Sequence, residues 1–332
     1  MAPLALSLGG NQVYLPNSVN PPRFVSTGSV VIDLPMRVDH LPTQGADVLA
    51  NSTGTVVGGG FNVVSAAARQ GACVTLASPL GTGPNSAQAR LALAAEGITI
   101  AFDDMVGDIG LCIALVEKTG ERTFITTLGV EAEHQPEDLA TLKLRAGDFL
   151  YVSGYDLAYP SSSRVLGPWL QELPSGVILV IDAGPIVDEV DKDLLTQVLS
   201  RVDVLTMNRR EAGLLQSRFD LADWSDLCQN MRPDSFLVRR TGEYGCEVLR
   251  SGTREISVIT PYPIQRVVDT TGAGDAHTGV LVASLMAGMD IDAAAQRANV
   301  AAAITSTRLG PATCPTFEEI DAAMVEFHPN QG

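Results

Sequence analysis

Asp275 follows directly on Gly272-Ala273-Gly274 and leads into an apolar run, TGVLVASLMAG. A glycine-rich turn that enters a helix presents backbone N–H groups at the positive end of the helix dipole, a cradle for phosphate or a developing oxyanion. A carboxylate beside such a cradle reads as a general base facing the anion. It reads equally as a plain helix cap, and both readings stand at this point. His277 lies two residues further on, about 200° around the helix, so it cannot face the same atom as Asp275 and is expected to pack.

These residues need a scaffold, and the chain spells one out from Arg23 onwards. RFVSTGSVVID (23–33) reads as one buried strand, β-branched and apolar on both faces. FNVVSAAARQG (61–71) and NSAQARLALAAEG (85–97) read as helices stopped by glycine, with the strand CVTLASPLG between them. FLYVSGY, VILVIDAGP, VDVLTMN and FLVRRTG follow as short apolar strands separated by helical stretches. The last third is helical over 273–288, 292–307 and 316–327. Strand and helix alternating in this way imply an α/β fold with a doubly wound, mostly parallel sheet flanked by helices.

Two stretches break that rhythm. Residues 36–57 hold strand-like pieces without a helix, and 111–128 read as a hairpin turning at KTGE, 118–121. Together they form a small β flap. A lid over a cleft, an ordinary excursion and a contact with a second copy of the chain are all open readings of it. Arg122, in the hairpin, is expected to be solvated.

Composition removes several function classes. With 22 basic against 38 acidic residues the formal charge is −16, which repels a nucleic-acid backbone. Lys118, Lys143 and Lys192 are the only lysines and no Gly-Lys pair exists, so there is no Walker A loop. GTGPNS (81–86) fails as a dinucleotide fingerprint because Ser86 takes the third glycine position. The five scattered cysteines include no C-x-x-C pair and fit reduced thiols in a cytoplasmic protein. Residues 1–22 lack the basic start and apolar core of a signal peptide and read as a loose extension. No run reaches the ~20 apolar residues of a membrane span.

DTTGAGD (269–275) closely resembles the C-terminal signature, D-T-x-G-A-G-D, of the ribokinase-like (PfkB) carbohydrate kinase family. Other segments fall in that family's order over roughly 23–320. GSVVID (28–33) is similar to the first strand, GGGFNVVSAAARQG (58–71) to the N-terminal signature and GERTF (120–124) to the lid hairpin. NRREAG (208–213) matches the N-x-x-E motif, VRRTGEYG (238–245) the strand before the nucleotide loop, and 298–316 the closing helix and cation loop. The sequence departs at Val57, where the first signature has glycine, and at His277, where phenylalanine is more usual.

The resemblance implies one ribokinase-like domain over 23–329 with a small β-sheet lid, transferring phosphate from ATP to a hydroxymethyl group. By motif position Asp275 is the base, with Gly272, Ala273 and Gly274 as the anion hole. Asp33 and Asn62 hold the acceptor's hydroxyls, and Gly58, Gly59 and Gly60 let its ring approach. Asn208 and Glu211 organise Mg²⁺ through water, Thr241 and Gly242 border the phosphates, and Asn299 lies by the nucleotide base. Asp269 and Thr271, with carbonyls from Ser306 to Gly310, resemble a monovalent-cation site for K⁺. A free sugar is the expected acceptor and a nucleoside the alternative. A sugar phosphate is disfavoured because residues 58–62 hold no lysine. A non-catalytic sugar-binding protein on the same scaffold is the reading from another class, and the joint presence of Asp275, Asn208 and Glu211 argues against it.

Overall fold

The computed structural model describes residues 6–8, 11–13, 21–52, 54–118, 121–253 and 255–327. Within the stretch expected to be loose, β1 (Leu6–Leu8) and β2 (Asn11–Val13) pair as an antiparallel ribbon, and the rest of residues 1–20 lies outside the described residues.

The chain then enters a large sheet as β3 (Phe24–Ser26) and crosses at once to a small one as β4 (Val30–Arg37), followed by β5 (Asn51–Ser52) and β6 (Val56–Gly59). Helix α1 (Gly60–Ala68), β7 (Val74–Leu76), α2 (Pro84–Ala95) and β8 (Thr99–Ile100) return it to the large sheet. The hairpin β9 (Leu111–Val116) and β10 (Arg122–Thr127) completes the small sheet. Next come α3 (Pro136–Thr141), β11 (Phe149–Ser153), α4 (Gly154–Ala158), α5 (Pro160–Gln171) and β12 (Ile178–Asp182). Helix α6 (Lys192–Arg201), β13 (Val204–Asn208), α7 (Arg209–Phe219) and β14 (Phe236–Arg240) continue the alternation. Strands β15 (Cys246–Arg250) and β16 (Ile256–Ile259) precede α8 (Ala273–Met286), α9 (Ile291–Ser306) and α10 (Phe317–Glu326).

The large sheet runs β16-β15-β14-β13-β12-β11-β3-β7-β8, parallel from β14 to β8, with β15 and β16 added antiparallel at one edge. Alternate residues of each strand enter separate cores. Phe149, Tyr151, Ile178 and Val180 pack on the side of α1 and α8, whereas Leu150, Val152, Leu179 and Ile181 pack on the side of α5 and α6. This two-sided burial explains the unbroken apolar runs, each buried Leu or Ile contributing about 1.5–3 kcal/mol. Among the described residues no helix is long and apolar enough to cross a membrane.

The small sheet has the order β10-β9-β4-β5, with β6 also on β4. It corrects the reading of 23–33 as one strand. The chain breaks at residues 27–29 and changes sheets, so the flap begins at Val30 rather than at residue 36. The apolar pattern hides this break; a buried carboxylate makes it. Asp156 accepts from the Ser29 N–H (3.1 Å), the Ser29 hydroxyl (2.7 Å), the Thr27 hydroxyl (3.4 Å) and the Ser153 N–H (3.2 Å). The return hinge is pinned alike, with buried Glu131 accepting from Gly110 N–H (2.8 Å) and Gly129 N–H (3.0 Å). Thr119 and Gly120 of the expected hairpin turn lie outside the described residues.

Candidate active site

Gly272 takes the N-cap position of α8 with φ of +76°, and a Cβ there would meet the Pro311 carbonyl oxygen at 2.0 Å, so only glycine fits. No side chain caps this helix. The Asp275 carboxylate is therefore not engaged as a cap. It accepts instead from Asn62 Nδ2 on α1 at 2.9 Å. Of the expected anion-hole donors, the Ala273 N–H turns to the Thr270 carbonyl at 3.2 Å. The first helical bond is Ala276 N–H to Gly272 O (2.8 Å), and the N–H groups of Gly272, Gly274 and Asp275 have no protein acceptor among the described residues.

Burial and the nearby Asp182 charge push the Asp275 carboxyl up to about 6, against the lowering influence of Asn62 and Arg240. Asp33 rises further, to about 7, through burial and the charge of Asp275, with the Cys112 thiol opposing. Asp33 is placed by the lid. It lies within β4, opposite Cys112 of β9 and Val56 of β6, which corrects its reading as the end of a strand of the large sheet. Asn62 Oδ1 is buried without a partner among the described residues, an acceptor awaiting a donor.

None of the three glycines before Asn62 has room for a side chain. A Cβ on Gly58 would lie 2.0 Å from Asp33 Oδ2, on Gly59 2.5 Å from the Ser29 carbonyl, and on Gly60 2.2 Å from the Gly28 carbonyl. The Asp33 carboxylate and the lid hinge occupy the space that a side chain at these positions would need.

Three parallel strands end in polar groups on the same rim: β12 in Asp182, β13 in Asn208 and β14 in Arg240. Open α/β sheets bind ligands at that rim. Arg240 is its hub. It donates to both Asp182 oxygens (2.6 and 3.1 Å), Thr206 Oγ1 (3.1 Å), Thr278 Oγ1 (2.8 Å), Glu211 Oε2 (3.3 Å) and, more weakly, the Gly274 carbonyl (3.4 Å). Arg240, Asp182 and Thr278 lie outside the site residues expected from the sequence. A charged residue closing an otherwise apolar strand was the available signal.

Asn208 and Glu211 form a reciprocal cap on α7, with Asn208 Oδ1 accepting from the Glu211 N–H (2.9 Å) and Glu211 Oε2 from the Asn208 N–H (2.7 Å). Asn208 Nδ2 adds a third bond, to Glu211 Oε1 at 2.7 Å. Glu211 is buried and its carboxyl is raised, first by burial and then by Asp182. Three of its roughly four acceptor positions are used. No cluster of three His, Cys, Asp or Glu able to hold a metal occurs among the described residues. The one acceptor position left on Glu211 has room for a water ligand of a hydrated divalent cation such as Mg²⁺.

Thr241 N–H and Oγ1 both donate to the Gly245 carbonyl (2.8 and 2.9 Å), closing the turn that holds Gly242. Asn299 Nδ2 donates to the carbonyls of Ile259 (3.2 Å) and Thr260 (3.1 Å), so its amide group is engaged by the β16 end. His277 is buried in the core behind Asp275, and burial drives its imidazole down to about 3, so it is neutral.

Arg122 overturns its expected solvation. From the lid it donates to Asp269 Oδ1 at 2.5 Å and to Thr270 Oγ1 at 3.2 Å. Asp269 Oδ1 also accepts from Thr271 N–H (2.9 Å) and Oγ1 (2.7 Å), and Oδ2 from Gly310 N–H (3.2 Å). The Ser306 carbonyl accepts from Val268 N–H (2.8 Å) and Asp269 N–H (3.2 Å). Asp269 Oδ1 thus gathers three donors, Oδ2 one, and the Ser306 carbonyl two.

A model of the pfkB family carbohydrate kinases matches residues 22–317. The chain is 34% identical over 297 residues to the uncharacterized sugar kinase YegV of Escherichia coli, covering 88% of this chain and 91% of that protein. It is 27% identical over 308 residues to an ATP-dependent ribose-1-phosphate kinase of Halopiger xanaduensis, 92% of this chain and 98% of the other. In structure it resembles the ribokinase of Thermotoga maritima, with a TM-score of 0.79 over 92% of this chain and 100% of that one; at 23% identity this establishes the fold.

Proposed function

The chain belongs to the pfkB family of carbohydrate kinases, and on that premise we propose that it transfers the terminal phosphate of ATP to a hydroxymethyl group of a small free sugar. One observation carries the reading: a carboxylate held at 2.9 Å by Asn62, free of capping, beside unpartnered N–H groups at a helix start.

An alcohol ionises far above neutral pH and attacks phosphorus poorly until its proton is accepted. Asp275 takes that proton, with a carboxyl raised to about 6 and so a better base than an exposed aspartate. The N–H groups of Gly272, Gly274 and Asp275, at the positive end of α8, hold the charge on the transferred phosphate. Asp33 and the unpartnered Oδ1 of Asn62 accept the sugar's other hydroxyls and aim the reacting one. Mg²⁺, when bound, neutralises charge on the phosphates, its waters held by Asn208 and Glu211. Thr241 and Gly242 border the phosphates from the β14 turn.

A nucleoside acceptor is the second reading, and aromatic placement favours it. Burial lifts the Tyr155 phenol to about 12, and the charges of Asp275 and Asp33 add to that rise. The strand register sets Phe124, largely exposed, on the same lid face as Asp33. Each exposed ring is of a type that stacks on a base. ADP release measured over free sugars, nucleosides and sugar 1-phosphates separates the readings. Turnover of free sugars supports the first, turnover of nucleosides alone replaces it with the second, and turnover of sugar phosphates alone overturns both.

A further inference from the structure

We propose that Arg122 takes the place of a monovalent cation beside the catalytic turn, so that closing the lid itself supplies the charge that orders residues 269–275. The inference rests on the reading of that turn as the site of phosphoryl transfer.

Three observations meet here. First, Arg122 is aimed at the cleft. The register sets Arg122 opposite Val116 and Val116 opposite Arg37, four residues along from the row of Thr126, Cys112 and Asp33, so all six side chains share one face of the lid. Second, its contact bridges the lid and the body. Arg122 and Asp269 are 147 residues apart, and their side chains are only 24% and 14% exposed. A surface pair of that kind is worth little, but a partly buried, charge-assisted one is stronger and directional. Third, the Asp269 oxygen that faces the lid is filled. Asp269 receives four donors, three of them on Oδ1, which leaves that oxygen no room for a further partner, and one on Oδ2. The Gly310 carbonyl is likewise taken by Thr313 Oγ1 at 3.2 Å.

The consequence runs along the chain. Asp269 ties Thr271 by both its N–H and its hydroxyl, and Gly272 follows immediately as the N-cap of α8. A cation at Asp269 balances the carboxylate and holds that bonding pattern. Here the cation is a guanidinium carried by the lid, and its second nitrogen also grips Thr270. Arg122 is thus a positioning residue: it acts on Asp275 through Asp269, Thr271 and the turn. Lid opening withdraws it, so the turn is fully ordered only when the cleft is closed.

The test compares K⁺ with tetramethylammonium at constant ionic strength, for the wild type, Arg122→Gln and Arg122→Lys. Wild-type kcat and the thermal midpoint of the ligand-free protein are expected to be the same in both salts. Arg122→Gln should lose about ten-fold or more in kcat in tetramethylammonium, the scale of one lost charge-assisted contact. Added K⁺ should restore part of that loss and raise the midpoint of this variant, because Asp269 now has an open position. Arg122→Lys keeps the charge and should stay indifferent to K⁺. A wild-type rate or midpoint that depends on K⁺ overturns the proposal. So does an Arg122→Gln enzyme equal to wild type without K⁺, or one whose loss K⁺ does not repair in either readout. The midpoint needs no turnover, so it decides the proposal even if no acceptor is found.

Discussion

Asn62 and Asp275, separated by 213 residues, meet through a 2.9 Å hydrogen bond between Nδ2 and a carboxylate oxygen. The bond exists because α1 and α8 lie unusually close. Gly279 of α8 sits against the Val63 carbonyl and Ala66 of α1, where a Cβ would come within 2.5 Å of the carbonyl oxygen. On the proposed mechanism the pair couples the acceptor-binding side of the cleft to the base, and each prediction below follows from a contact around it.

Asp275→Asn keeps the shape and the neighbours but removes the proton acceptor. The expected loss in kcat is about 10²–10⁴-fold, with acceptor binding retained. The thermal midpoint should hold or rise, because a raised carboxyl near Asp182 is no longer ionised there. Steady-state kinetics with calorimetric binding of the acceptor checks this, and activity within ten-fold of wild type would remove Asp275 from the role.

The pH dependence has a definite sign. The base works ionised, so kcat/KM should climb as pH rises through about 6 to 7, the range of Asp275 and Asp33, and level off above it. The two carboxyls sense each other, so the limb belongs to the pair. Their folded values lie above the ordinary 3.8, so the folded state favours the proton. Their contribution to stability is complete below that value and is lost as pH rises through 6 to 7. Activity should rise where stability falls. A rate profile flat from acid to neutral pH contradicts this.

Gly58→Ala places a methyl group 2.0 Å from the Asp33 carboxylate, which must then turn away from the cleft. KM for the acceptor should rise about ten-fold or more, the cost of one displaced hydrogen-bonding group, while KM for ATP stays put. Gly213→Ala, in open space on an exposed part of α7, is the control. It should stabilise by up to about 1 kcal/mol through helix propensity. Equal effects on both substrates would show that Gly58 is not specific to Asp33.

Arg240→Met leaves Asp182 and Glu211 buried without their cation. The expected cost is about 3–5 kcal/mol in denaturant unfolding, because desolvation of the carboxylates is no longer offset. The side chains involved are only 12%, 10% and 5% exposed, so water cannot substitute easily. A loss below about 1 kcal/mol would mean that the network is solvated and worth no more than a surface pair.

Features made by consecutive residues could be read without a structure. The alternating strands and helices, the closing helices near 273–288, 292–307 and 316–327, and the turn before Asp275 all arise from local apolar period and glycine placement. Local backbone geometry depends on a few neighbours, so these signals survive in one dimension. Long-range contacts do not. Residues 23–33 are apolar throughout, and an apolar pattern says that a segment is buried without saying in which layer. The change of sheet at residues 27–29 depends on Asp156, more than a hundred residues away. It is this change that puts Asp33 in the lid. Arg122 reads as a solvated charge and Arg240 goes unremarked because a long, flexible side chain carries no local mark of its target. Their partners, Asp269 and Asp182, were chosen by the folding of the lid over the cleft and by the side-by-side ends of β12, β13 and β14.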